Sequence, residues 1–134
     1  MITIKTKYLG DLRTESVHLR SSSQIITDAP VDNNGKGEAF SPTDLLAASL
    51  ATCMITIMGI VANKNSLNID NLECEVTKIM ATNPRRVSEI LINFKFADND
   101  FDDNQRQILM DAAFTCPVAL SLNPDLKKVV NFEF

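Results

Sequence analysis

The sequence has 134 residues, of which 45% are hydrophobic and 22% are charged, and its formal net charge is −4. This length predicts a single domain over residues 1–134 with enough apolar side chains for a core. The negative charge argues against nucleic acid and anionic membranes as partners. Three scattered cysteines, one histidine and no secretory signal indicate a reducing cytoplasm and no bound metal. No phosphate-binding loop is present, so no cofactor is predicted.

The N-terminal part of the chain predicts a small sheet. Apolar and polar residues alternate there, which is typical of half-buried strands, and we place three of them at residues 2–8, 14–19 and 24–27. Arg13 falls near the bend of the first hairpin. Its side chain either reaches over the edge of the sheet or is simply solvated.

A loop over residues 28–40 follows, rich in Asn, Asp, Gly and Pro. It is long for a passive connection, and long loops in compact domains are often functional. The loop brings Glu38 and Phe40 directly before the next helix. Glu38 is either a surface carboxylate near a positive helix end or part of the border of an active site.

A long apolar helix is the strongest feature of the chain. Ser41 is suited to cap it, Pro42 to occupy its first position, and Asp44 to complete the cap. Residues 45–62 carry no charge, and a helix that is apolar on every side should be buried on every side. The capped start and the interspersed polar residues argue against a membrane span. Cys53 lies in its middle.

The remaining elements complete an α+β pattern. We predict strands at residues 72–80 and 90–96, helices at 102–114 and 117–122, and a last strand at 128–134. Arg85 and Arg86 form a basic hairpin tip, which we interpret as solvated. Cys116 directly precedes the short helix that Pro117 opens.

Two of the cysteines are candidates for thiol chemistry. A thiol that attacks a peroxide must be ionised, and a buried thiol needs a nearby cation for this. The basic residues of the N-terminal hairpin, Arg13, His18 and Arg20, can supply that charge, and arginine is the best suited because it stays charged. Oxidation of Cys53 would give a sulfenic acid that a second thiol converts to a disulfide. Cys116 suits that role better than Cys74, which we expect to be a core residue.

The segment SPTDLLAASLATC, ending at Cys53, and the later segment CPVALSLNP, beginning at Cys116, resemble the OsmC/Ohr family of osmotically inducible and organic hydroperoxide resistance proteins. The resemblance covers essentially the whole chain. It implies an α+β fold in which two chains intertwine, with antiparallel sheets wrapped around a long central buried helix. It further implies a homodimer with active sites at the interface.

The resemblance also implies a function. It is that of a thiol-dependent peroxidase that reduces organic hydroperoxides, with peroxidatic Cys53, resolving Cys116 and a catalytic arginine best matched by Arg13. Arg20 remains an alternative for the arginine. The reductant would be a dithiol, for which the family suggests a lipoyl-linked one.

One departure from the family pattern concerns the residue after the proline that opens the helix. The family commonly has a glutamate there that holds the arginine, whereas this chain has Thr43. We assign substrate binding to Glu38, Phe40 and Thr43. Because a hydroxyl cannot pair with a guanidinium as a carboxylate does, an alternative function stays open: a redox-sensing or apolar-ligand-binding module without catalysis.

Overall fold

The computed structural model describes residues 1–134 as a mixed α+β protein with two three-stranded sheets and one long helix. This confirms the predicted fold class and the predicted order of elements. Contacts within the chain divide it into two compact units, Met1–Leu46 and Ala47–Phe134.

The first unit is built on an antiparallel sheet. Its strands follow the chain in the order β1 (Ile4–Gly10), β2 (Arg13–His18) and β3 (Gln24–Asp28). Gly10 has a φ of +89° at the turn between β1 and β2, a conformation that glycine adopts without strain. The pairing of β2 with β3 sets Arg13 opposite Asp28 at the end of the ladder.

Helix α1 spans Pro42–Lys64, so it extends two residues beyond the uncharged stretch 45–62. Its start is the predicted reciprocal cap. The Asp44 N–H donates to Ser41 Oγ at 3.0 Å, and the Ser41 N–H donates to Asp44 Oδ2 at 2.9 Å. These bonds satisfy backbone donors that the first helical turn leaves without partners.

Within the single chain, α1 buries one stripe of residues. The buried positions follow helical spacing and are Ala47, Leu50, Ala51, Met54, Met58 and Ala62. The expected burial on every side is therefore met along this stripe only. By length and composition α1 could cross a membrane, and a third of its most apolar window is buried in the chain. A buried stripe of this kind is what a core helix of a globular fold shows.

The second unit contains a mixed sheet in the order β4 (Glu73–Ala81), β5 (Arg86–Lys95) and β6 (Lys127–Glu133). Strands β4 and β5 form the predicted antiparallel hairpin, but β6 pairs with β5 in parallel. The expectation of purely antiparallel sheets is wrong at this pair. Its physical reason is the helical crossover between the two strands, which returns the chain in the same direction.

That crossover consists of α2 (Asp103–Ala113) and α3 (Pro117–Ser121). Asp102 caps α2 with a reciprocal bond pair to Gln105, and Cys116 caps α3. The core of this unit consists of fully buried side chains from α1, β5, α2 and the α3 cap, which are Leu50, Met54, Met58, Ile90, Ile92, Phe94, Leu109, Ala113 and Cys116.

Candidate functional site

The thiols of Cys53 and Cys116 meet in the second unit. Cys53 lies halfway along α1 and is half-buried, whereas Cys116 is completely buried at the start of α3. The two side chains are close enough for Cys53 to influence the Cys116 thiol, and neither cysteine is in a disulfide. The structure thus brings together the two cysteines that the sequence singles out, although α1 and α3 are far apart along the chain.

Cys116 has two kinds of neighbour with opposite effects on its thiol. Its Sγ accepts a hydrogen bond from the Ala119 N–H at 3.2 Å, as expected for a helix cap. Burial nevertheless raises the pKa of Cys116, and the hydrogen bond and charge of Cys53 raise it further. The N–H groups at the start of a helix favour the thiolate and lower a thiol pKa, but the effect of burial is larger here. Burial thus favours the protonated form of the Cys116 thiol.

Cys74 lies apart from this chemistry in β4, opposite Phe94 of β5. It is half-buried, and burial raises its pKa. No charged partner offsets the cost of burying its thiolate. The position agrees with the prediction of a core thiol.

Arg13 is the centre of a charged cluster in the first unit. Its Nε and Nη2 donate to the two carboxylate oxygens of Asp28 at 2.7 and 2.8 Å. Its Nη2 also donates to Glu38 Oε2 at 3.0 Å. Two parallel bonds of this kind form a bidentate fork, the strongest geometry for an arginine and a carboxylate.

The loop between β3 and α1 closes this cluster. The Asp28 N–H donates to the Phe40 carbonyl at 3.1 Å, and the Glu38 N–H donates to Asp28 Oδ2 at 3.1 Å. Gly35 is packed against Ala29, because a Cβ on Gly35 would lie only 1.7 Å from the Ala29 carbonyl oxygen. The loop is thus folded on itself and brings Glu38 to the guanidinium.

The charges of the cluster stabilise each other. The hydrogen bond and charge of Arg13 hold the pKa of Asp28 below its usual range despite its burial. In return, the Asp28 carboxylate raises the pKa of Arg13. Both groups therefore stay ionised, as a buried charge requires.

Asp28 is the residue of this cluster that no sequence motif indicates. By composition it belongs to the start of the loop, and its pairing with Arg13 depends on the register of β2 with β3. A signal was present, since a buried strand that ends in an aspartate implies a paired charge. The sequence did select Arg13 and Glu38, which the structure brings together.

The other predicted site residues occupy different positions. Phe40 is 59% exposed, and the hydroxyls of Thr43 and Ser41 lie 3.2 Å apart at the start of α1. Arg20 is exposed in the turn after β2, and His18 Nδ1 lies 2.6 Å from Ser21 Oγ in the same turn. Of the three basic candidates in the N-terminal hairpin, Arg13 is the one whose side chain is bound by carboxylates, those of Asp28 and Glu38.

One cavity of the second unit lies away from the thiols. An open cavity of about 520 Å³ in the second unit is lined by residues 66–71 and 96–101 and by Gln105. Neither Cys53 nor Cys116 lines it. No group of histidine, cysteine or acidic side chains is arranged to hold a metal ion.

The fold is that of an α+β protein with two sheets, and two free cysteines lie close together in its second unit. A family model described as OsmC-like protein matches residues 35–129, and the chain belongs to the OsmC family. The resemblance stated from the two cysteine segments is thereby confirmed. No sequence among the curated proteins matches the chain.

Solved structures agree with this assignment. A protein from Psychrobacter arcticus 273-4, described as an osmotic stress induced and detoxification response protein, is 54% identical with a TM-score of 0.95, over 99% of this chain and 96% of that one. The organic hydroperoxide resistance protein OsmC from Legionella pneumophila is 16% identical, with a TM-score of 0.73. The match covers 100% of this chain and 98% of the Legionella chain. The organic hydroperoxide resistance protein OhrB of Bacillus subtilis is 18% identical with a TM-score of 0.64, over 98% of each chain. The last two show a shared fold.

Proposed function

We propose that this protein is a thiol-dependent peroxidase that reduces organic hydroperoxides in the cytoplasm. The observation that carries the proposal is the proximity of two free cysteines, Cys53 and Cys116, from distant parts of the chain. Cys53 is partly exposed and could therefore react with a substrate. Cys116 is buried beside it and could then react with the oxidised Cys53. Two solved proteins of the same fold are named for organic hydroperoxide resistance.

The first step is attack by the Cys53 thiolate on the terminal oxygen of the hydroperoxide. A sulfur–oxygen bond forms, the oxygen–oxygen bond breaks, and the leaving alkoxide takes a proton to become the alcohol. Cys53 is then a sulfenic acid. We assign Arg13 as the cation that favours the thiolate and stabilises the negative charge on the leaving oxygen.

The second step is attack by the Cys116 sulfur on the sulfur of that sulfenic acid. A disulfide forms, and the departing hydroxide takes the Cys116 proton and leaves as water. The raised pKa of Cys116 suits this order, because Cys116 keeps its proton until Cys53 is oxidised. An external dithiol, for which we propose a lipoyl-linked one, then reduces the disulfide by thiol exchange.

We further propose that the working form is a homodimer with the site at its interface. The surface of α1 outside its buried stripe supports this. It carries apolar side chains such as Ile60, which is 46% exposed in the single chain and would be buried by a second subunit. Glu38, Phe40 and Thr43 are proposed to border the substrate. The carboxylate that Thr43 does not provide is present on Asp28, which weakens the main reason for a non-catalytic module.

The test is peroxide consumption with cumene hydroperoxide and a dithiol reductant, combined with mass mapping of the three thiols. Cys53→Ser should abolish consumption. Cys116→Ser should allow one turnover and then over-oxidation of Cys53, and Cys74→Ser serves as the matched control with turnover retained. Unchanged consumption by Cys53→Ser would overturn the proposal. Oxidation that stops after one equivalent in the wild-type protein with reductant present would favour a redox sensor instead.

A further inference from the structure

The donors of Arg13 are divided unequally between its two carboxylates. A guanidinium has five N–H donors in a fixed plane. Nε and one N–H of Nη2 bind Asp28, and Nη2 also binds Glu38. The two N–H groups of Nη1 therefore form the edge of the guanidinium that remains for a further oxygen.

Asp28 is fixed more firmly than a surface carboxylate. Asp28 is 1% exposed. Its backbone is held by the strand pairing with Arg13 and by the hydrogen bond that its N–H donates to the Phe40 carbonyl. One carboxylate oxygen also accepts the Glu38 N–H. Rotation of this carboxylate would leave a buried charge without partners, which is costly.

Glu38 is held differently. It makes a single bond of 3.0 Å to Arg13, and its side chain is 66% exposed. Ion pairs of this kind are screened by water and contribute little to orientation. Of the two carboxylates, only Asp28 determines the plane and direction of the guanidinium.

We propose that Asp28 is the positioning residue of Arg13: it fixes the plane of the guanidinium and leaves the Nη1 edge to bind an oxygen of the substrate. This inference rests on the proposed peroxidase function for its catalytic consequence, whereas the hold of Asp28 on Arg13 is independent of it. In this chain a buried strand end supplies the carboxylate that orients the arginine. Asp44, the carboxylate in the first turn of α1, accepts the N–H of Ser41 as part of the helix cap.

Two measurements test the proposal in Asp28→Asn, with Glu75→Gln as the control. Glu75 is also a carboxylate in an ion pair, with Lys95 at 2.8 Å, but it lies in the second unit. The first measurement is the NMR signal of the Arg13 Nε–H group, assigned by its loss in Arg13→Gln. The second is the rate constant for oxidation of Cys53 by cumene hydroperoxide.

The wild-type protein and Glu75→Gln should show an Arg13 Nε–H signal protected from exchange with water. Asp28→Asn should lose that protection and should oxidise Cys53 about 100-fold more slowly, the effect expected when a catalytic group is misplaced by an ångström. In an Arg13→Gln background, Asp28→Asn should cause no further loss of rate. This non-additivity identifies a residue that acts through Arg13.

A protected Nε–H signal in Asp28→Asn would overturn the proposal, as would an equal loss of rate with and without Arg13. If Asp28→Asn does not fold, Arg13→Lys replaces it, since it keeps the charge but removes the fork. An unchanged rate in Arg13→Lys would then overturn the proposal, and a loss of tenfold or more would support it. Failure of the peroxidase proposal is seen separately, as unchanged peroxide consumption in Cys53→Ser.

Discussion

Cys116 lies close to Cys53, and of the two only Cys116 is completely buried. This difference assigns an order to the pair. The half-exposed thiol can meet a solute, whereas the buried thiol reacts only with its neighbour. An electrophile from solution should therefore modify Cys53 before Cys116.

The first prediction concerns the order of alkylation. With iodoacetamide at pH 8, Cys53 of the reduced native protein should be labelled at least tenfold faster than Cys116, because Cys116 is inaccessible and its pKa is raised. Peptide mass mapping over time gives both rates. In urea the two rates should become similar, and faster labelling of Cys116 in the native protein would contradict the assigned order.

The second prediction concerns stability at alkaline pH. Since the folded-state pKa of Cys116 lies above its unfolded value, the folded protein holds the proton more tightly. The contribution to the free energy of unfolding is full below the ordinary thiol pKa of about 8.5 and is lost as pH rises through the folded pKa. Cys116→Ala should therefore show a smaller decline in this free energy between pH 8 and 10. Urea titrations at each pH measure it.

Cys74 provides the comparison for that experiment. Burial raises its pKa as well, so Cys74→Ala should also reduce the alkaline decline. The effect should be smaller than for Cys116→Ala, because Cys74 is only half-buried and no neighbouring cysteine charge adds to the shift. Equal alkaline declines in the wild-type protein and in both variants would show that neither pKa is raised in the folded state.

The third prediction concerns acid. The pKa of Asp28 is lowered in the folded protein, so its stabilising contribution is present above the unfolded value of about 3.9 and is lost as pH falls through the folded pKa. Asp28→Asn should be less stable than the wild-type protein at pH 7 and should show a shallower decline below pH 4. Thermal unfolding at pH 7, 4 and 3 measures both effects, with Glu75→Gln as the surface control.

Local signals in the sequence were sufficient for the helices and their ends. Ser41, Pro42 and Asp44 predict the start of α1 because a helix cap depends on neighbouring residues only. The same holds for Cys116 before Pro117. Partnerships between distant segments were not predictable in this way. The parallel pairing of β5 with β6 depends on the path of the crossover, which no local pattern encodes.

In the candidate site, too, local features could be predicted from the sequence, whereas contacts between distant segments could not. The cysteine pair came from the resemblance to a family, since spacing in sequence does not define distance in space. Arg13 was selected for its charge, but its main partner Asp28 depends on the register of β2 with β3. A shift of that register by one residue would turn the two side chains to opposite faces.

The fourth prediction tests the proposed dimer through α1. Ile60 lies on the exposed side of the helix, in line with Thr52 and Thr56, outside the buried stripe. Ile60→Lys should shift the protein from dimer to monomer in light scattering at micromolar concentration, because an unpaired charge would be buried at the interface. Lys64→Ala, at the exposed end of the same helix, is the control. A dimer unaffected by Ile60→Lys would place any interface elsewhere.

The last prediction concerns the loop that carries Glu38. A Cβ at Gly35 would overlap the Ala29 carbonyl, so Gly35→Ala must displace the loop backbone. We expect a loss of about 1–3 kcal/mol in the free energy of unfolding, as for other overpacked sites. Gly59→Ala is the matched control: an added Cβ there meets no atom within 4 Å, and alanine is the better helix former. That variant should gain about 0.5–1 kcal/mol. Urea unfolding at one protein concentration compares the two variants. If Gly35→Ala is as stable as the wild type, the loop accommodates the methyl group. The close packing of Gly35 against Ala29 then does not fix the position of Glu38.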